Sequence, residues 1–122
     1  MSTVLIIDDD KIFLRMYKAN FAFYKGVDVV TAESGEEGLK KAAGTPHPDL
    51  ILLDYRMPGM SGAEVSKRLK LSPLTSTIPV ILITSNSEEG EVKDALYDRY
   101  LAKPITDAKL KGLLKDYLGI VG

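Results

Sequence analysis

The chain of 122 residues lacks cysteine and contains a single histidine. Without cysteine, disulfide bonds, thiolate catalysis and zinc–thiolate sites are excluded. The histidine, His47, lies between Pro46 and Pro48 and has no partner at the spacing of metal ligands. We therefore predict that His47 is a surface-loop residue and not a ligand.

The chain also lacks an excess of either charge and any long apolar run. Its 16 lysines and arginines nearly balance 17 aspartates and glutamates, so the formal net charge at pH 7 is −1. A nucleic-acid or anionic-membrane partner would require a basic face. No apolar run approaches the roughly 20 residues that span a bilayer, and the N-terminus shows no basic signal region. We predict a cytoplasmic protein with no direct nucleic-acid or membrane partner.

Length and patterning predict one α/β domain over residues 1–122. Short apolar runs alternate with amphipathic stretches of helical length. The runs are residues 4–7, 27–30, 50–53, 80–83 and, more weakly, 100–101. Several are continuously apolar, which is typical of parallel strands covered on both faces. Five strands and five helices in strict alternation predict a parallel sheet with right-handed crossovers.

Two features mark the predicted helices. Ser34 with Glu37, and Ser61 with Glu64, match the capping box that opens a helix. Apolar residues recur at three- and four-residue spacing in the first and last helices. They are Phe13, Met16, Tyr17, Phe21 and Tyr24 in the first, and Leu110, Leu113, Leu114, Tyr117 and Leu118 in the last.

Four of the five predicted strands end in polar residues whose side chains can bind ligands or take part in a reaction. These residues are Asp8, Asp9 and Asp10 after the first strand, Asp54 after the third, Thr84 after the fourth and Lys103 after the fifth. Ligands of open α/β sheets bind beyond this carboxyl edge. Taken singly, Asp10 is equally well explained as a helix cap, and Thr84 is better explained as an ordinary strand-end residue. Their common place on one edge favours a functional cleft.

Residues of these types together suit phosphoryl transfer. Crowded carboxylates repel one another unless a cation balances them. Mg²⁺ suits such a site because it binds one or two carboxylates and completes its shell with water and phosphate oxygen. A lysine supplies positive charge, and a threonine hydroxyl can donate to a phosphoryl oxygen. An aspartate can serve as the nucleophile and form an acyl phosphate, so we predict a phosphoryl site.

Four segments of the chain resemble the receiver domain of two-component response regulators. They are residues 4–10 (VLIIDDD), 54–62 (DYRMPGMSG), 79–85 (PVILITS) and 100–104 (YLAKP). The resemblance covers essentially the whole chain. It implies a flavodoxin-like, doubly wound five-stranded parallel sheet in the order 2-1-3-4-5, with five helices.

The resemblance implies a phospho-acceptor and a metal site. Asp54 would accept a phosphoryl group from a sensor histidine kinase or a phosphotransfer protein, in a reaction that needs Mg²⁺ or Mn²⁺. Asp9 and Asp54 would bind the ion directly, Asp8 through a water, and Arg56 through its backbone carbonyl. The domain would not be an enzyme, except that it would catalyse its own phosphorylation and dephosphorylation. Arg56 and Asn86 would tune the lifetime of the phosphorylated state.

The resemblance also implies a conformational switch. Thr84 and Lys103 would contact the phosphoryl group, Tyr100 would turn into the space that Thr84 leaves, and the peptide bond before Pro104 would be cis. The fourth helix, fifth strand and fifth helix would then present a changed surface to a downstream protein.

One segment departs from the family pattern. Residues 88–99 lack the Gly-Ala pair that usually precedes the switch aromatic, and they are fewer than usual. Only Val92, Ala95 and Leu96 form an apolar face, and Gly90 weakens the helix start. We predict a short fourth helix and an unusual output face.

A phosphatase is the first alternative. Asp8-x-Asp10 after an apolar strand also resembles the nucleophile motif of haloacid-dehalogenase-type phosphatases. That family needs a further acidic metal-binding pair, and after Lys103 only Asp107 and Asp116 follow, well separated.

A receiver that binds partners without phosphorylation is the second alternative. Such proteins usually lose one of the key residues, and none is missing here. The sequence leaves open the kinase, the target, the phosphate lifetime, the oligomeric state and whether the chain acts alone or within a longer protein.

Overall fold

The computed structural model describes residues 2–85 and 94–121. Within these residues, five strands form one sheet. The strands are β1 (Ser2–Ile7), β2 (Val27–Ala32), β3 (Leu50–Asp54), β4 (Val80–Ser85) and β5 (Arg99–Lys103). All pairings are parallel, and the order is β2-β1-β3-β4-β5. The predicted sheet and its strand order are therefore confirmed.

The described residues contain four α-helices where five were predicted. The helices are α1 (Lys11–Phe21), α2 (Gly35–Ala43), α3 (Gly62–Leu71) and α4 (Asp107–Leu113), and α4 continues as a π-helical turn over Leu114–Leu118. The remaining helix was predicted between β4 and β5, where residues 86–93 lie outside the described part; Val92 and Asn86 fall there. No helix in the described ranges is long and apolar enough to cross a membrane.

The sheet is buried on both faces, which explains its continuous apolar runs. One face packs against α2 and α3, and the other packs against α1 and α4. The first face carries Leu5, Ile7, Ile51, Leu53, Val80 and Leu82. The second carries Val4, Ile6, Leu50, Leu52, Ile81 and Ile83. Successive residues of one strand therefore serve different cores, as the two-residue period of a strand requires.

A side chain caps the start of each of these four helices. The capping residues Asp10, Ser34, Ser61 and Thr106 accept a backbone N–H at distances between 2.9 and 3.3 Å. Such caps satisfy N–H groups that have no partner within the helix. Asp10 is thus a helix cap, and the predicted caps Ser34 and Ser61 are confirmed.

The prediction for the apolar face of α1 was partly wrong. Tyr17, Phe21 and Tyr24 are buried as predicted, but Met16 is 46% exposed and Leu14 is buried instead. Phe13 is only half-buried, at the edge of the α1–α4 core. The prediction for the last helix holds, because its five apolar residues all belong to that core or pack against it.

The chain before β5 packs against α3 and is not α-helical over its described residues 94–98. Ala95 is buried in the α2–α3 core, and the Leu96 N–H donates to the buried Ser66 hydroxyl at 3.1 Å. Leu96 itself is 42% exposed, so the predicted apolar face is not continuous here. His47 is exposed in the loop before β3, as predicted.

Candidate functional site

Three of the predicted site residues lie on one face at the carboxyl edge of the sheet. Asp8, Asp54 and Lys103 each come two residues after a strand side chain that belongs to the α1–α4 core or packs against it. Because side chains alternate along a strand, all three continue that face beyond the core. This topology, and not nearness in sequence, brings them together.

The ammonium of Lys103 is paired with two buried carboxylates. Its Nζ lies 3.0 Å from Oδ1 of Asp54 and 3.4 Å from Oδ2 of Asp8. Asp9 is exposed beside them, and oxygens of Asp8, Asp9 and Asp54, which we call the acidic cluster, lie within 4.8 Å of one another. The structure therefore brings four of the predicted site residues into one place.

The acidic cluster holds more negative charge than Lys103 compensates. Burial, reinforced by the charge of Asp8, raises the pKa of Asp54 to about 6 even though Lys103 opposes this rise. Burial also raises the pKa of Asp8, against a hydrogen bond from the Asp10 N–H and the charge of Lys103. For Lys103, burial alone would lower the pKa, but Asp54 and Asp8 together raise it. A bound cation would relieve this imbalance.

The donor set of the acidic cluster fits a divalent metal ion such as Mg²⁺ or Mn²⁺. Carboxylate oxygens are the ligands that Mg²⁺ prefers, and it uses few of them because it retains water. Two of the three carboxylates are buried and one is open to solvent, so an ion has both fixed ligands and a route of entry. Arg56 lies in the loop after β3, two residues beyond Asp54, with an exposed side chain.

Gly62 allows α3 to begin directly against the backbone of the Asp54 segment. A Cβ atom at this position would lie 2.3 Å from the carbonyl oxygen of Asp54 and 2.6 Å from Cα of Tyr55. The Gly62 N–H also donates to the carbonyl of Tyr55 at 2.9 Å. Because backbone atoms cannot move aside as a side chain can, this close approach requires glycine.

Thr84 and Tyr100 lie on the other face of the sheet, Thr84 near the carboxyl end of β4 and Tyr100 near the start of β5. Thr84 is buried, comes two residues after Leu82 of the α2–α3 core, and its Oγ1 donates to the carbonyl of Leu101 at 3.5 Å. Tyr100 is half-buried and meets the ring of Tyr97 edge-on, with centroids 5.9 Å apart and planes at 89°. The peptide bond between Lys103 and Pro104 is cis, as predicted.

Two aromatic residues that were predicted only as core residues lie near the site. The ring of Phe13 lies under the ammonium of Lys103, with Nζ 4.1 Å from the ring centroid. The phenol of Tyr17 is buried, and burial together with the charges of Asp8 and Asp54 raises its pKa. The available signal was their place in the first turns of the helix that follows the three aspartates.

The further acidic pair that a phosphatase would need does not join the acidic cluster. Asp107 accepts from the Tyr24 hydroxyl at 3.3 Å and pairs with Lys111 at 3.4 Å. Asp116 pairs with Arg99 at 3.1 Å. Over the described residues, the one group of acidic or histidine side chains that could hold a metal ion contains Asp8, Asp9 and Asp54.

Known proteins are similar to this chain in both sequence and fold. Residues 4–115 match the family model of the response regulator receiver domain. The chain is 35% identical to the alkaline phosphatase synthesis transcriptional regulatory protein PhoP of Bacillus subtilis, over 92% of this chain and 48% of that protein. It is 32% identical to the polar-differentiation response regulator DivK of Brucella ovis, over 96% of each.

A solved structure agrees with these relatives. A putative response regulator from Chloroflexus aurantiacus superposes with a TM-score of 0.86 at 31% identity, covering 97% of this chain and 98% of that one. The chain spans about half the length of PhoP and nearly all of DivK. With a family model matched over most of its length, the chain belongs to the response regulator receiver domain family.

Proposed function

We propose that this receiver domain accepts a phosphoryl group on Asp54, from a sensor histidine kinase or a phosphotransfer protein in the cytoplasm. The pairing of the Lys103 ammonium with Asp54 at the edge of the acidic cluster carries this proposal. Asp8 is the less suitable acceptor, because one of its oxygens accepts the Asp10 N–H and the other pairs with Lys103. Among the described residues, only Lys103 pairs with Asp54, through Oδ1, which leaves Oδ2 for the incoming phosphorus.

The residues of the chain supply position and charge for the transfer. A pKa of about 6 leaves most Asp54 ionised at neutral pH, so a carboxylate oxygen can attack phosphorus while the bond to the donor atom breaks. Lys103 balances charge on the phosphoryl oxygens. Asp8 through a water, Asp9, Asp54 and the backbone carbonyl of Arg56 would hold Mg²⁺. That ion would neutralise the carboxylates and the phosphoryl oxygens together.

The phosphoryl group would bias a switch on the opposite face of the sheet. It adds negative charge and strong acceptor oxygens at Asp54. The Thr84 hydroxyl would move to donate to one of these oxygens, and Tyr100 would turn into the space vacated. This repacking would change the surface formed by β5, α4 and the segment before β5, which a downstream protein would recognise.

Intact-mass measurement after incubation with acetyl phosphate and Mg²⁺ tests the acceptor. We expect one added phosphoryl group on the unaltered protein, none on Asp54→Asn and none when a chelator removes Mg²⁺. The matched control is Asp28→Asn, which removes an exposed aspartate from β2, outside the acidic cluster, and should keep the adduct.

Other outcomes point elsewhere. An adduct that persists in Asp54→Asn would move the acceptor to another residue. A lack of adduct in every variant would favour a receiver that binds its partner without phosphorylation. Steady phosphate release without an adduct would favour the phosphatase alternative.

A further inference from the structure

We propose that Phe13 is a positioning residue for Lys103 in the phosphoryl-transfer reaction. The inference rests on the proposed function and adds a residue to that site. The ammonium of Lys103 lies over the face of the Phe13 ring, with Nζ 4.1 Å from the centroid. An ammonium within about 6 Å of an aromatic centroid is attracted by the negative face of the ring.

The ring and the two carboxylates all contact the ammonium. Lys103 Nζ contacts Asp54 at 3.0 Å, Asp8 at 3.4 Å and the Phe13 ring, while the lysine side chain is only 15% exposed. A lysine stem is flexible and its ammonium is strongly hydrated. A fixed apolar surface behind the ammonium therefore limits both its retreat into solvent and the access of water.

The backbone holds Phe13 in a fixed relation to the acidic cluster. Asp8 accepts the Asp10 N–H at 2.9 Å, and Asp10 in turn caps α1 by accepting the Ile12 N–H at 2.9 Å. Phe13 lies in the first turn of α1, directly after this cap. One continuous set of hydrogen bonds thus joins the Asp8 carboxylate to the helix turn that presents the ring.

The attraction predicts a dependence on the electrons of the ring and not only on its volume. Phe13→Leu keeps an apolar side chain without an aromatic face, whereas Phe13→Trp strengthens that face. We expect Phe13→Leu to slow phosphorylation by acetyl phosphate roughly 2- to 30-fold, the range that cation–π energies represent. Phe13→Trp should retain the rate within about 2-fold, and progressively fluorinated phenylalanine at position 13 should lower it step by step.

A further readout, the NMR shift of Lys103, separates positioning from packing. The ε-methylene protons of Lys103 should show an upfield ring-current shift in NMR spectra of the unaltered protein and of Phe13→Trp, but not of Phe13→Leu. Phe23→Leu is the matched control, because Phe23 is 87% exposed and lies beyond the end of α1. It should leave both the rate and the Lys103 shift unchanged.

The outcomes distinguish this inference from the function on which it rests. One outcome is that the unaltered protein is phosphorylated at the same rate as the variants with leucine, tryptophan or fluorinated phenylalanine at position 13. In that case the positioning role is wrong and the proposed function stands. Equal losses of rate for all the variants, together with equal losses of thermal stability, would mean that Phe13 only packs. If the unaltered protein forms no adduct, the proposed function fails and this role fails with it.

Discussion

Lys103 lies 3.0 Å from Asp54, yet the pKa of Asp54 is raised to about 6 and not lowered. One ammonium serves two buried carboxylates, and burial together with the charge of Asp8 outweighs its attraction. Without metal, ionisation of Asp54 therefore works against folding. This relationship links the stability of the domain to pH and to metal binding.

Asp54→Asn should stabilise the metal-free domain at neutral pH. The pKa of Asp54 is raised to about 6 in the folded state, above its unfolded value of 3.8. Protonated Asp54 therefore contributes its full share to the free energy of unfolding below pH 3.8, and this contribution is lost as the pH rises through about 6. The difference between these pKa values corresponds to roughly 3 kcal/mol. Urea unfolding in the presence of a chelator should show that the variant is more stable than the unaltered protein at pH 7.5. The difference in their free energies of unfolding should become smaller toward pH 4.

Two results would contradict this account of Asp54. One is that Asp54→Asn is less stable than the unaltered protein at pH 7.5. The other is that the difference between their free energies of unfolding does not change with pH. Asp28→Asn controls for the loss of a negative charge alone, since Asp28 is exposed on β2.

Mg²⁺ should stabilise the fold through the acidic cluster. A ligand that binds only the folded state, at one hundred times its Kd, adds about 2.7 kcal/mol to the free energy of unfolding. Asp9→Asn should weaken this effect although Asp9 is exposed, because its carboxylate lies within 4.8 Å of those of Asp8 and Asp54. Thermal unfolding and calorimetric titration with MgCl₂ measure both quantities. An equal Mg²⁺ effect in Asp9→Asn would remove Asp9 from the metal site.

Asp98 should contribute strongly to stability because it joins three elements. Its Oδ2 accepts the Val80 N–H at 2.7 Å and lies 2.7 Å from Nζ of Lys70, which also donates to the carbonyl of Ile78 at 2.8 Å. Asp98→Ala removes the acceptor of the Val80 N–H and the carboxylate partner of Lys70, and it should cost about 1–3 kcal/mol in urea unfolding.

An exposed ion pair provides the comparison for Asp98. Arg68 pairs with Glu64 at 3.1 Å on the outer surface of α3, so Arg68→Ala should change stability by less than about 0.5 kcal/mol. Similar costs for the two variants would show that Asp98 does not anchor the segment before β5.

Tyr97 should hold Tyr100 in its present orientation. An edge-to-face aromatic pair is worth about 0.5–1.5 kcal/mol, which corresponds to a roughly 2- to 12-fold bias between two orientations. In Tyr97→Ala, the ring signals of isotopically labelled Tyr100 should move part of the way toward those seen with Mg²⁺ and beryllium fluoride, a phosphoryl mimic. Tyr97→Phe keeps the ring and should not show this shift. Identical spectra for the alanine and phenylalanine variants would exclude the bias.

The sequence was informative where topology alone decides the outcome. Continuous apolar runs predicted strands buried on both faces, and parallel order then required Asp8, Asp54 and Lys103 to meet at one edge. The caps Ser34 and Ser61 could be predicted because they depend on local hydrogen bonds only.

The sequence was less informative where tertiary packing determines which side chains are buried and which residues meet. The start of α1 is apolar on several sides, so spacing alone could not show that Leu14 packs inside while Met16 faces solvent. The contact between Phe13 and Lys103 joins residues 90 positions apart and leaves no local pattern. Likewise, Ser66 binds the Leu96 N–H across the fold, so the described residues before β5 pack without forming an α-helix.

Trapping the modified residue tests the central claim most directly. Borohydride reduces an acyl phosphate to an alcohol, so treatment after incubation with acetyl phosphate and Mg²⁺ should convert the modified aspartate to homoserine. Peptide sequencing by tandem mass spectrometry should then find homoserine at position 54 and unaltered aspartate at positions 8 and 9. Homoserine at position 8 or 9, or at none of the three, would contradict the assignment of Asp54 as the phospho-acceptor.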